Sequence, residues 1–199
     1  MNVTELEGFK VHISKGKCLV NPENITIEAW STEELNSIIE VLAMILPPLK
    51  ANYTKEWRCV TLREFEKLIS IYSSGKITFC AKDLEEAKLI LNYVKFLIEK
   101  AKKEYMENGP PEEKELELKK KLTVLELYKY LPKTNCGLCG QPTCIALADK
   151  ILRGEASLND CKPLKDPKNM YLIEKLRERF GERILKSLGW GSRSVDFYR

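Results

Sequence analysis

Histidine is nearly missing from this chain: 199 residues contain one, His12. It lies in a strand-like run of alternating apolar residues and reads as a half-buried structural residue, not as a ligand or catalytic base. No nucleophile–base pair, phosphate loop or metalloprotease helix is present in the sequence. No apolar run approaches the length of a transmembrane helix. Met1 to Glu7 lacks the basic stretch and apolar run of a secretory leader, so a cytoplasmic protein is expected. A large excess of one charge is missing too. The 33 Lys and Arg and 29 Asp and Glu leave +4, a weakly basic balance without the concentrated basic face expected of a nucleic-acid binder.

What is present is an ordinary folding composition, 44% hydrophobic and 31% charged, long enough for one domain of usual size or two small ones. Against that background stand seven cysteines, four of them in one stretch: Cys136, Cys139, Cys144 and Cys161, spaced C-x2-C-x4-C-x16-C. Four thiolates converging on one point make a soft, anionic site suited to an iron–sulfur cluster or to zinc. Cys136 and Cys139 are close enough in a loop for both sulfurs to reach one centre. Gly137 and Gly140 follow them and let backbone N–H groups approach sulfur. Pro142 and Thr143 read as the start of a helix with Cys144 in its first turn, where the dipole and free N–H groups favour a thiolate. Ile145, Ala148, Ile151 and Leu152 are expected on its inward face, with Gly154 as the stop. Structural zinc sites more often use two C-x-x-C pairs, and one is present here. A disulfide framework suits neither an odd cysteine count nor a reducing compartment.

The motif Leu131-Pro132-Lys133-Thr134-Asn135-Cys136-Gly137, with Cys139-Gly140, Pro142-Thr143-Cys144, Ala146, Ala148, Gly154 and Cys161, resembles the four-cysteine [4Fe–4S] domain at the start of the large subunit of corrinoid iron–sulfur proteins. That subunit is the gamma subunit of the acetyl-CoA synthase/decarbonylase system of anaerobes. Similar domains occur in other redox proteins. The resemblance covers about residues 122–165 and implies one [4Fe–4S] cluster held by Cys136, Cys139, Cys144 and Cys161; spacing alone does not separate two-iron from four-iron clusters. Nothing matches the corrinoid-binding barrel of the larger proteins, so corrinoid binding is not implied.

The expected fold class is α+β: a small N-terminal α+β domain over 1–108, a charged linker over 109–121, a mostly helical four-cysteine domain over 122–165, and a C-terminal amphipathic helix and tail over 166–199. Two or three short strands are read between Phe9 and Trp30, around a turn near Gly16, with Leu19 and Val20 in the pattern. Ser31 with Glu34 and Thr61 with Glu64 look like capping boxes opening helices that run to Leu46 and to Ser73. Lys76 to Cys80 reads as a strand and Asp83 as the cap of a third helix. Cys18, Cys59 and Cys80 read as small core residues.

Leu122 to Leu131 is expected as a short helix whose Leu125, Leu127, Tyr128 and Leu131 shield the cysteine loop. Beyond it, Leu172, Leu176, Phe180, Ile184 and Leu188 recur every four residues, with Gly181 dividing the pattern. Residues 162–186 hold eight basic and four acidic residues. That face is either solvated surface or a docking face for an acidic redox partner. Trp190, Phe197 and Tyr198 end the chain as a loose tail or fold back on the surface.

Four cysteines used as ligands leave no open iron, which suits electron transfer better than substrate chemistry. The expectation is a one-electron carrier or redox relay of anaerobic metabolism rather than an enzyme. The alternative is an accessory binding module with a structural or redox-sensing cluster, or zinc, in which residues 1–108 recognise a partner such as a corrinoid protein or methyltransferase.

Overall fold

The structure, a computed structural model, describes residues 3–18 and 21–191. The fold is α+β, as expected. The chain divides into two compact units, residues 1–43 with 51–110, and residues 44–50 with 111–199.

The first unit is built on a seven-stranded antiparallel sheet, ordered β1-β2-β3-β7-β6-β5-β4. Its strands are β1 (Val3–Leu6), β2 (Phe9–Lys15), β3 (Ile25–Trp30), β4 (Ala51–Thr54), β5 (Cys59–Glu64), β6 (Lys67–Tyr72) and β7 (Lys76–Ala81). Alternation sets the faces. Val11, Ile27, Val60, Leu62, Ile69, Ile71 and Ile77 are fully buried, whereas Leu68 on the opposite pleat is exposed. His12 pairs across from Glu28 with Nδ1 3.7 Å from its carboxylate, half-buried, in the structural role expected. Leu19 and Val20 lie outside the described residues.

Two expected helices are corrected. The stretch 61–74 is the β5–β6 hairpin, in which Glu64 faces Lys67 across a two-residue turn at Phe65 and Glu66. Both turn residues have positive φ, 52° and 58°, a conformation normally announced by Asn or Gly, so the turn carried no sequence signal. The Ser31–Leu46 helix shrinks to α1 (Ile39–Ile45). The N–H groups of Ser31 and Leu35 donate to the carbonyls of Gly75 and Ser73, tying this segment to the β6–β7 turn instead of to a helix ladder. The third helix, α2 (Leu84–Asn108), forms as expected: Asp83 Oδ1 accepts from Glu86 N–H at 2.8 Å, and Ala87, Ile90, Leu91, Val94, Leu97, Ile98 and Ala101 are buried.

The second unit is helical. Its helices are α3 (Glu113–Lys121), α4 (Val124–Tyr128), α5 (Cys144–Arg153), α6 (Met170–Phe180) and α7 (Glu182–Ser187). The charged stretch expected as a linker thus contains α3. Gly181 divides α6 from α7, and Leu172, Leu176, Phe180, Ile184 and Leu188 are all buried, as their spacing predicted. Trp190 packs against this core, and Phe197 and Tyr198 lie outside the described residues. On α5 the inward face is Cys144, Leu147, Ala148, Ile151 and Leu152, while Ile145 is exposed; Cys144 takes the seam position that Ile145 was expected to hold. No helix among the described residues is long and apolar enough to cross a membrane.

A buried lysine holds the unit's separate segment 44–50 in place. Lys119 is 6% exposed, and its Nζ donates to the carbonyl of Met44 at 2.8 Å and to that of Leu46. Leu49 N–H donates to Leu152 O at 2.9 Å from the same segment. Burial pushes the Lys119 amine down to about 7. Its unfolded value stays near 10.5, so between these limits the unfolded chain binds a proton that the folded chain does not, and stability must rise with pH through that window. Lys119→Met should remove this contribution: urea denaturation from pH 7 to 10 should show the native protein gaining stability relative to the variant. Parallel stability curves would contradict the burial of this amine.

Candidate metal centre

The sequence brings the four cysteines to one place by local means. After Leu131, Lys133 and Asn135 adopt positive φ of 61° and 48°, and Gly137 and Gly140 of 71° and 78°. The loop therefore curls tightly. Gly140 N–H closes a turn onto Gly137 O at 2.9 Å, with Cys139 inside it. Glycine at 137 and 140 avoids the Cβ strain of that conformation. Thr143 caps α5, its Oγ1 accepting from Ala146 N–H at 3.2 Å, which fixes Cys144 as the first helical residue.

Cys161 arrives from the other side. The turn at Leu158–Asp160 is capped reciprocally by Ser157 and Asp160, and Ser157 Oγ donates to Gly189 O at 2.9 Å. Cys161 N–H closes that turn onto Leu158 O.

Cys136, Cys139, Cys144 and Cys161 all line one pocket, together with Thr134, Asn135 and Leu147. Cys136 is exposed, Cys139 half-buried, and Cys144 and Cys161 are buried. Among the described residues, no three His, Cys, Asp or Glu side chains gather tightly enough to hold a single metal ion. The sulfurs instead share the wall of a cavity in which, among the described residues, they are the only ionisable groups.

The electrostatics follow from that grouping. The Cys136 thiol lies below its ordinary value, held by hydrogen bonds first from the Thr134 side chain and then from the Leu138 backbone. Burial pushes the Cys161 thiol up to about 11; the Leu164 backbone opposes this, and the neighbouring Cys144, Cys139 and Cys136 add to it. Four thiolates sharing one pocket repel, so all four ionise together only around a cationic core. The donor set fits an iron–sulfur cluster: four soft thiols, glycines in the loop, and one apolar wall from Leu147.

Of the residues expected to shield the loop, Leu127 and Leu131 are buried in the helical core, Tyr128 is half-buried against it and Leu125 is exposed; none of the four lines the pocket, and the leucine that does is Leu147. Cys18 and Cys59 are buried and Cys80 is half-buried in the first unit, and none lines the pocket. Burial raises the Cys59 thiol, and burial followed by contact with Cys18 raises that of Cys80.

Residues 131–163 match the family described as "Putative Fe-S cluster". This stretch therefore resembles an iron–sulfur family. The same region is similar to curated relatives. The acetyl-CoA decarbonylase/synthase complex subunit gamma of Methanocaldococcus jannaschii is 47% identical over 65 residues, 33% of this chain and 12% of that protein. Subunit gamma 1 of Methanosarcina thermophila is 54% identical over 74 residues, 36% of this chain and 16% of that protein. The corrinoid/iron–sulfur protein large subunit of Moorella thermoacetica is 56% identical over 45 residues, 23% of this chain and 10% of that protein. The chain thus spans about a sixth or less of these relatives. No solved structure matches it.

One functional contact had no assigned role in the sequence reading. Asn135 Oδ1 accepts from Cys144 N–H at 2.8 Å, linking the loop that carries Cys136 to the helix that carries Cys144. An Asn before a helix is a familiar local acceptor, but its target nine residues on lies outside the usual capping range. Asn135→Ala should cost the second unit about 1 kcal/mol, read as a lower urea midpoint, while Asn135→Asp keeps the acceptor. An unchanged midpoint in the alanine variant would remove this contact from the account.

Proposed function

We propose that Cys136, Cys139, Cys144 and Cys161 hold one [4Fe–4S] cluster and that the protein is a one-electron carrier or relay. The observation that carries this reading is the convergence of the four thiols on one pocket. Bound there, such a cluster supplies reversible one-electron storage. All four ligand positions are protein sulfur, which leaves no iron open to substrate and favours electron transfer over catalysis.

The residues around the pocket tune that role. Cys144 and Cys161 lie inward, where burial limits water, while Cys136 lies at the surface and gives the site an edge that a partner can approach. Gly137 and Gly140 leave room for backbone N–H groups near sulfur, and Leu147 excludes solvent from one wall. The relatives are named as a subunit of an acetyl-CoA decarbonylase/synthase complex and as a corrinoid/iron–sulfur protein, which supports a protein partner. We extend this to a setting in anaerobic metabolism, with a corrinoid protein or methyltransferase as the redox partner. The four-cysteine domain, residues 122–165, is the part that carries the redox centre, and the role is assigned to the cytoplasm.

Anaerobic purification followed by metal and sulfide analysis should give about four irons and four sulfides per chain, with an EPR signal that appears on dithionite reduction. Cys144→Ala should lose or convert the cluster. One zinc with no sulfide, or a full four-iron centre retained in the variant, would overturn the assignment.

A further inference from the structure

The second unit holds another cavity, larger than the cysteine pocket. Its volume is about 400 Å³, within the range of small-molecule sites. Lys129, Lys133 and Lys175 stand around it, and Tyr130, Tyr171 and Leu172 contribute to its wall. Among the described residues no carboxylate lines it. Lys129 is paired with Glu126 at 2.5 Å. The other two ammonium groups lie near aromatic rings: Lys133 is 5.4 Å from the centre of Tyr128, and Lys175 is 5.2 Å from that of Tyr171. Among the described residues neither forms an ion pair with a carboxylate.

Solvated lysines ordinarily diverge, because like charges repel and the ammonium is strongly hydrated. Here three lysines line one concavity backed by buried Leu131 and Leu172, and two of them, Lys133 and Lys175, have no carboxylate partner among the described residues. The backbone contributes to the arrangement: Lys133 is held at φ 61°, a left-handed conformation that costs a non-glycine residue energy and marks ligand-facing positions. A cationic rim over an apolar wall with phenol rings matches a planar molecule that carries negative charge at one end.

We propose that this cavity binds a small phosphorylated ring compound, the chemical class of the nucleotides and flavin phosphates. Lys133 and Lys175 take the phosphate, and Tyr171, 52% exposed, offers its ring to the base. The cavity adjoins the cysteine pocket. Leu131 to Lys133 run directly into Thr134 and Asn135, and Asn169, on the cavity wall, donates from Nδ2 to Pro163 O at 2.9 Å, where Pro163 lines the cysteine pocket. Recognition uses lysines and tyrosines alone and stands apart from the four-cysteine assignment.

The test is a binding titration of the full chain, purified anaerobically, at low salt. The probes are FMN, AMP and inorganic pyrophosphate, and iron is measured on every sample so that loss of the cluster is scored separately. FMN or AMP should bind saturably and more tightly than pyrophosphate. Lys133→Glu with Lys175→Glu should weaken that binding by about tenfold or more, and Tyr171→Ala should weaken FMN and AMP while leaving pyrophosphate unchanged. Because these side chains are at the surface, urea midpoints should stay at the native value. The absence of saturable binding by all three probes would overturn the proposal. So would equal affinity in the double lysine variant, or pyrophosphate binding as tightly as the ring-bearing probes.

Discussion

Bringing four cysteine sulfurs to one small pocket is the constraint on which the second unit depends. Ionised together without a counter-charge, Cys136, Cys139, Cys144 and Cys161 would repel one another; burial raises the Cys161 thiol to about 11, and the neighbouring cysteines add to that rise. The proposed iron–sulfur core, being cationic, would reverse the sign of the problem. The surrounding structure then has one task, to deliver four sulfurs to one pocket from a loop, a helix start and a turn within residues 136–161. Thr143 and the start of α5 place Cys144. The Ser157–Asp160 turn, anchored on Gly189, places Cys161. Asn135 joins the loop to the helix. Side-chain caps at Thr143 and Ser157 fix these positions with few residues.

The helical unit also draws in a piece of chain from far upstream. Residues 44–50 belong to it, held by Lys119 against two backbone carbonyls and by the bond from Leu49 to Leu152. A neutral amine has two hydrogens, enough for both carbonyls, so this buried lysine needs no counter-charge when deprotonated. The partners at the cysteine pocket are likewise supplied locally: Thr134 and the Leu138 backbone hydrogen-bond Cys136, and Asn135 Oδ1 accepts from Cys144 N–H. In both places the polar groups that the fold buries meet partners, which is the condition for burying them.

The cysteine region was legible because its signals are local. C-x2-C, the Pro-Thr helix start and the Gly154 stop each act within a few residues, and the pocket unites the four cysteines that their spacing singled out. The same holds for α2 with its Asp83 cap and for the five-residue apolar ladder of α6 and α7. The sheet was less legible. The β5–β6 turn uses Phe65 and Glu66 at positive φ, without the Asn or Gly that would mark it, and Thr61 with Glu64 imitates a helix cap. Pairing with distant strands then overrides local preference. Lys119 lay inside a charged run that reads as solvent-exposed, and only the carbonyls of Met44 and Leu46, more than seventy residues away, explain its burial.

The central claim is that four cysteines of one chain hold one four-iron cluster, and Mössbauer spectroscopy of the ⁵⁷Fe-labelled protein tests it most directly. The account predicts that nearly all the iron belongs to one diamagnetic, valence-delocalised population with sulfur ligation, which becomes paramagnetic on one-electron reduction. A spectrum of two localised ferric sites, or a folded protein that takes up zinc and excludes iron, would contradict it.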